Sequence, residues 1–150
     1  MLLFRPETSV PADAQGKPID SPHERVKHLI ETLEKARIKV IIPTPVLAEI
    51  LVRTTPTEAE WYIREIGKYS VFRIESFDTR AAIEVAVMTR NAIDRPRRRD
   101  PSATTWAKLK YDRQIVAVAK VAQATHIYSD DRDIRAIANR EGIQVRVGRP

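Results

Sequence analysis

The sequence predicts an α/β domain with a mostly parallel central sheet covered by helices on both faces, three layers in all. Two observations carry that prediction. Short apolar runs rich in β-branched residues, at Ile38–Ile42, Val71–Phe77, Thr125–Ser129 and Ile143–Val147, alternate with longer stretches of helical periodicity. The chain has 150 residues, 43% of them hydrophobic and 31% charged, the size and balance of one globular domain. Residues 1–150 are therefore expected to form a single domain that buries its own core without staples.

The elements follow in order. Residues 5–22 contain Pro6, Pro11, Pro18, Pro22 and Gly16 and read as a loop. Ser21 is placed as an N-cap, with Pro22 at the first helical position and Glu24 three residues after the cap. That helix is expected to reach Arg37, with Val26, Leu29, Ile30 and Leu33 at helical spacing. Ile38–Ile42 reads as a buried strand, after which Thr44 can cap a helix from Pro45 to Arg53. A helix is expected over 57–69, a strand over 71–77 and a helix over 79–92. Residues 94–103 make a basic loop that carries Arg95, Arg97, Arg98 and Arg99. A long helix then runs from Thr104 to Gln123, followed by the Thr125–Ser129 strand. The Arg132–Arg140 helix is ended by Gly142, and Ile143–Val147 is the last strand.

Composition narrows the function. There is no cysteine, which excludes disulfide scaffolds, thiolate zinc sites and cysteine nucleophiles and fits a reducing, cytoplasmic setting. No apolar run approaches the roughly 18 residues of a membrane span, and Met1-Leu2-Leu3-Phe4 followed by Arg5-Pro6 does not read as a signal peptide. Four glycines leave no glycine-rich phosphate loop. His23, His28 and His126 have no metal-ligand spacing, and no motif supports Ser-His-Asp catalysis. Lys and Arg number 26 against 20 Asp and Glu, so the net charge is +6, a balance that suits an anionic partner such as nucleic acid.

Three carboxylates stand where a soluble fold does not need them. Glu49 is the only charged residue in Pro45–Val52, and at about 100° per residue its helical neighbours are apolar on nearly every side. A buried carboxylate costs several kcal/mol unless it is paired or metal-bound. Pairing with Arg53 or an opening to water is the plain alternative. Asp112 shares a helical face with Ile115, Val116, Ala119, Ala122 and Gln123, while Arg113, Gln114 and Lys120 project elsewhere, so Asp112 is expected to point toward the core. Its plain alternatives are an exposed end of that stripe or a pair with Lys108. Asp131 lies in Ser129-Asp130-Asp131-Arg132-Asp133 at a strand exit. One of these acids is expected to cap the next helix, but three exceed what capping needs. In a parallel sheet the strand exits share one edge, where sites form. Hard oxygen ligands without His or Cys suit Mg²⁺ or Mn²⁺. A basic protein with such a pocket suggests phosphodiester chemistry.

Three segments in order carry a family resemblance: Ile41-Ile42-Pro43-Thr44-Pro45-Val46-Leu47-Ala48-Glu49, Asp112-Arg113-Gln114-Ile115-Val116-Ala117-Val118-Ala119, and Ile127-Tyr128-Ser129-Asp130-Asp131-Arg132-Asp133-Ile134. They resemble the strand-to-acidic-helix, Asp-x-x-Ile-x-x-x-Ala and Ser-x-Asp-x-Asp segments of the PIN-domain nucleases. The likeness is strongest to the VapC-type toxin ribonucleases of type II toxin–antitoxin pairs, and it covers about residues 24 to 147. The resemblance implies a sheet of order 3-2-1-4-5 and a Mg²⁺- or Mn²⁺-dependent endoribonuclease that leaves 5′-phosphate and 3′-hydroxyl ends. It implies Glu49, Asp112 and Asp131 as catalytic metal-site acids, Asp133 as an auxiliary acid ligand and Ser129 as the supporting hydroxyl. RNA, an antitoxin protein and a second copy of the chain are the partners it implies, with no membrane. A non-catalytic RNA- or protein-binding remnant of the same fold is the alternative.

The sequence departs from the family at one place. The family opens with a central strand ending in Asp, a principal metal ligand, and no residue here matches it. Met1-Leu2-Leu3-Phe4 resembles the rest of the helix that follows that strand, which leaves a central slot of the sheet unfilled. Read instead as the strand, it puts Arg5 where Asp belongs. Asp13 and Asp20 match no motif. The basic loop at Arg95–Arg99 reads either as a phosphate-contacting arm or as a solvated run. Trp106 and Tyr111 can stack on bases or pack on their helix. Trp61 and Tyr62 can serve a dimer or antitoxin contact or the core.

Overall fold

The computed structural model describes residues 21–52, 54–93 and 106–146. The Pro-rich loop up to residue 20 and the basic loop, with Arg95, Arg97, Arg98 and Arg99, lie outside the described residues. The chain is mixed α/β. In order it runs α1 (Pro22–Lys35), β1 (Val40–Pro43), α2 (Thr44–Leu51), α3 (Pro56–Gly67), β2 (Phe72–Glu75), α4 (Thr79–Ile93), α5 (Trp106–Val121), β3 (His126–Tyr128), α6 (Arg132–Arg140) and β4 (Gln144–Arg146).

Helix ends follow local chemistry. Thr55 and Glu58 form a reciprocal capping box at α3: the Glu58 amide donates to Thr55 Oγ1 at 3.4 Å and the Thr55 amide to Glu58 Oε2 at 2.9 Å. Thr55→Ala is expected to lower stability by about 1 kcal/mol in urea unfolding, while Thr55→Asn, which keeps a capping oxygen, is expected to stay within a few tenths. An unchanged midpoint for the Ala variant removes the cap from the account of α3. Ser21, expected to cap α1, makes no side-chain cap hydrogen bond; its backbone is left-handed with φ 46°, not in the extended region that capping residues adopt. Thr44 is the first residue of α2 rather than its cap. Its Oγ1 instead accepts from the Phe77 amide at 2.9 Å.

Three helices close with the same carbonyl-satisfying turn. After α1, Ile38 N donates to Leu33 O at 2.9 Å and Arg37 N to Glu34 O at 3.0 Å. After α5, Ala124 N donates to Ala119 O at 2.9 Å and Gln123 N to Lys120 O at 3.0 Å. After α6, Ile143 N donates to Ala138 O at 2.9 Å and Gly142 N to Asn139 O at 3.3 Å. The residue that turns left-handed is Arg37, Gln123 or Gly142, with φ 55°, 56° and 75°. Only at 142 is it glycine, the residue that adopts this conformation without strain.

Two compact units divide the chain. The first contains residues 21–40 and 54–73 of those described, the second 41–52, 74–93 and 106–146. In the first unit Ile30, Tyr62, Ile66 and Val71 are buried, and Tyr62 meets Trp61 edge to face with ring centroids 5.0 Å apart. Tyr62 is thus a core residue. In the second unit α5 packs against α2, α4 and α6. Residues 115–119 are all buried, and Val116 and Ala117 are fully enclosed. A helix apolar on most sides belongs in the middle of a core, and Ala81, Met88, Ile134, Ile137, Ala138 and Ile143 pack around it.

In place of one central sheet, the described residues form two two-stranded sheets, β1-β2 and β3-β4. β3 and β4 are parallel, with His126 opposite Gln144, Ile127 opposite Val145 and Tyr128 opposite Arg146. α6 connects them, so its N-terminus stands at the carboxyl end of β3, where α/β folds present functional side chains. No helix among the described residues is long and apolar enough to cross a membrane.

Candidate metal centre

α5 and the β3–α6 turn bring three aspartates together. Carboxylate oxygens of Asp112, Asp131 and Asp133 all lie within 4.8 Å of one another. α5 carries Asp112 among its buried residues, and the side chain is 6% exposed. Turn chemistry fixes Asp131. Its amide donates to Ser129 Oγ at 3.1 Å, and its Oδ1 accepts from the amides of Asp133 at 2.7 Å and Ile134 at 3.3 Å, capping α6. One oxygen of Asp131 therefore holds the helix, which leaves Oδ2 for the cluster. Ser129 acts on Asp131 through that hydrogen bond, and its own amide donates to Arg146 O at 3.2 Å on β4.

A lysine sits among the three. Lys108 Nζ is 2.8 Å from Asp133 Oδ2, 2.9 Å from Asp131 Oδ2 and 3.5 Å from Asp112 Oδ2. Hydrogen bonds to Asp133 first and Asp131 next hold the lysine's pKa far above its usual value. The same contact with Lys108 is the largest influence on Asp131, whose carboxyl is held below the ordinary aspartate range. Asp112 goes the other way. Burial pushes its pKa up, the charges of Asp131 and Asp133 add to that, and Lys108 opposes it. Asp112 Oδ2 is buried and has no hydrogen-bond partner.

Glu49 is not in this group. Among the described residues the metal-capable cluster comprises Asp112, Asp131 and Asp133. The expected inward orientation of Glu49 is corrected by the structure, in which Ala48, Glu49 and Val52 are exposed. These positions, i, i+1 and i+4, share one helical face, and α2 buries Pro45 and Leu47 instead. Apolar neighbours misled because they too face water: Val52 is 76% exposed. Glu49 still acts at Tyr111, the residue before Asp112. Burial raises the Tyr111 pKa and the negative charge of Glu49 raises it further. The Tyr111 hydroxyl donates to the Pro45 carbonyl, which ties α2 to the start of α5.

Arg113 and Arg140 were not expected at the site, whereas the pair of Lys108 with Asp112 was, and the structure has it at 3.5 Å. Arg113, expected to project away from the core, is buried, because α5 is covered on nearly every side. A cleft lined by Met88, Leu109, Arg113, Asp133, Ile137 and Arg140 adjoins the cluster through Asp133. Burial lowers the Arg113 pKa, and the nearby positive charge of Arg140 lowers it further. Lys108 carried one signal, its i,i+4 spacing to Asp112. Its hydrogen bonds to Asp131 and Asp133 span 23 and 25 residues and left none. His126 lies at the sheet rim, with Nδ1 2.9 Å from Thr125 Oγ1 and Nε2 3.2 Å from Arg146 Nη2.

Set against protein-family models and against curated proteins, the sequence matches none. A functional reading therefore stands on the chemistry of the site itself.

Proposed function

We propose that this chain is a metal-dependent endoribonuclease of the PIN type, the toxin of a toxin–antitoxin pair, that hydrolyses RNA phosphodiester bonds. The observation that carries the reading is the meeting of Asp112, Asp131 and Asp133 at the end of β3. The strand pairing supports it. The family order 3-2-1-4-5 sets strand 3 beside strand 2 and strand 4 beside strand 5, and among the described residues β1-β2 and β3-β4 are pairs of that kind.

The donor set fits a hard divalent cation. It is all carboxylate oxygen, and it includes a buried oxygen, Asp112 Oδ2, that no hydrogen bond satisfies. Mg²⁺ or Mn²⁺, when bound, supplies charge stabilisation at the phosphate and a water of lowered pKa. Asp112, Asp131 and Asp133 are the residues to hold it. Ser129 keeps Asp131 in place. Asp112, buried and pushed above the ordinary aspartate range while no cation is there, is the carboxylate that gains most from one. Arg113 and Arg140, in the cleft beside Asp133, offer guanidiniums to an adjacent phosphate.

The test is cleavage of a single-stranded RNA by the purified chain with Mn²⁺, with and without chelator. Cleavage that leaves 5′-phosphate ends and stops with chelator supports the proposal. Cleavage indifferent to chelator, or none at all with Mn²⁺, overturns it. One observation favours a second reading, a non-catalytic RNA- or protein-binding member of the same fold: a lysine ammonium already pairs with the carboxylates. That reading expects RNA retention without Mn²⁺ binding or cleavage.

The basic loop gives a separate expectation. Replacing Arg97, Arg98 and Arg99 by Ala should weaken RNA binding and flatten its log–log salt dependence. The slope should fall by about 0.7 for each phosphate of a single strand that is no longer neutralised. An unchanged slope makes the loop a solvated run.

A further inference from the structure

We propose that the Lys108 side chain is the resident counter-ion of the Asp112–Asp131–Asp133 group, and that a divalent cation binds there only by displacing it. The inference rests on the metal-dependent reading above and concerns what controls loading of that site.

Four observations support it. The first is position: Lys108 Nζ lies against an oxygen of every carboxylate in the group, at 2.8, 2.9 and 3.5 Å. An ammonium and a divalent cation cannot share a few ångströms, because their repulsion there is large at any reasonable dielectric. Entry of one means exit of the other. The second is helix context. Lys108 lies in the first turn of α5, a turn with no acidic residue, where the helix dipole disfavours a cation. The helix end does not stabilise a positive charge there, whereas the three carboxylates do. The third is the incomplete fit. At 3.5 Å the ammonium leaves Asp112 Oδ2 without a hydrogen bond. Mg²⁺ binds oxygen at about 2.0–2.1 Å and Ca²⁺-sized ions at about 2.3–2.6 Å, close enough to draw that oxygen in. The fourth is exposure. The Lys108 side chain is 44% exposed while that of Asp112 is 6% exposed, so the lysine has solvent to swing into and the aspartate does not.

With Lys108 seated, the carboxylates are held together instead of repelling one another. Metal affinity is also reduced by the fraction of molecules in which the lysine occupies the site. Loading thereby needs a higher cation concentration, set by one side chain of the same protein.

The experiment is Mn²⁺ binding to the full chain, followed by loss of the free-ion paramagnetic resonance signal, for the natural protein, Lys108→Met and Lys108→Arg. Lys108→Met keeps much of the apolar stem and removes the charge, and is expected to bind Mn²⁺ about tenfold tighter or better. Lys108→Arg keeps the charge and is not expected to gain. Melting temperature supplies a second readout: Mn²⁺ should raise that of Lys108→Met more than that of the natural protein. If the natural protein binds Mn²⁺ and Lys108→Met binds it no tighter, the lysine is not the competitor and the metal reading stands. If Lys108→Met alone binds, the proposal is supported in its strongest form. If neither binds, the metal reading falls and this inference falls with it. Should Lys108→Met fail to fold, the natural protein still decides the matter. Its Lys108 ammonium resonance, kept visible by ion pairing, should disappear into solvent exchange on saturation with Mg²⁺, and its persistence overturns displacement.

Discussion

Under the metal-dependent reading proposed above, Asp112→Asn is expected to lower Mn²⁺-dependent RNA cleavage by about a hundredfold or more, without lowering stability. The substitution keeps shape and removes a ligand charge. Its effect on stability follows from the direction of the pKa shift. Burial raises the Asp112 pKa above its ordinary value of 3.8, so ionising this group costs more in the folded state than in the unfolded one. Between 3.8 and the raised folded value, the folded form binds the proton more readily, and this group's contribution becomes more favourable to folding as pH falls. Asn removes that ionisation penalty. Lys108 keeps Asp131 and Asp133, its two nearest carboxylates. Chemical denaturation with chelator present, beside a single-turnover cleavage assay, measures both halves. Full cleavage by the Asn variant removes Asp112 from the chemistry. A large loss of stability instead makes it a structural residue.

The same residue shows what the sequence could and could not reveal. Asp112 was legible because it stands on an apolar stripe at helical spacing, and burial follows from such a stripe wherever the helix is central. Asp131 was legible because acids at a strand exit before a helix announce a cap, and Ser129 only through the family resemblance; the capping geometry places both side chains. The position of Glu49 was not. α2 has only eight residues, and its exposed face includes Ala48 and Val52, so apolarity around the helix did not mark the buried side. Gly142 gave away the end of α6. Arg37 and Gln123 perform the same left-handed turn without being glycine, and the ends of α1 and α5 were accordingly expected too late. The helix-strand alternation was readable from periodicity. Periodicity did not reveal which strands pair, because pairing between strands of three or four residues depends on partners far along the chain; only the strand order implied by the family resemblance placed β1 beside β2 and β3 beside β4. The placement of Lys108 belongs to the same class of long-range fact.

Asp131 allows capping and ligation to be separated, because each of its oxygens does a different job. Oδ1 accepts the Asp133 and Ile134 amides, while Oδ2 meets Lys108. Asp131→Asn keeps an oxygen for the cap and removes the charge, and Asn caps helices as well as Asp does. Asp131→Ala removes both. Both variants are expected to lose cleavage by about a hundredfold or more. Only Asp131→Ala loses the cap as well, which puts it about 1 kcal/mol below Asp131→Asn in urea unfolding with chelator present. The pH dependence carries a matching signature. Lys108 holds the Asp131 pKa below 3.8, so its ionisation stabilises the fold above that value, and the contribution is lost as pH falls through the lowered folded pKa. Both variants should therefore show a shallower acid loss of stability than the natural protein. If Asp131→Asn cleaves normally, the carboxylate is only a cap. If the two variants are equally stable, the cap contributes nothing and the residue is held for its charge alone.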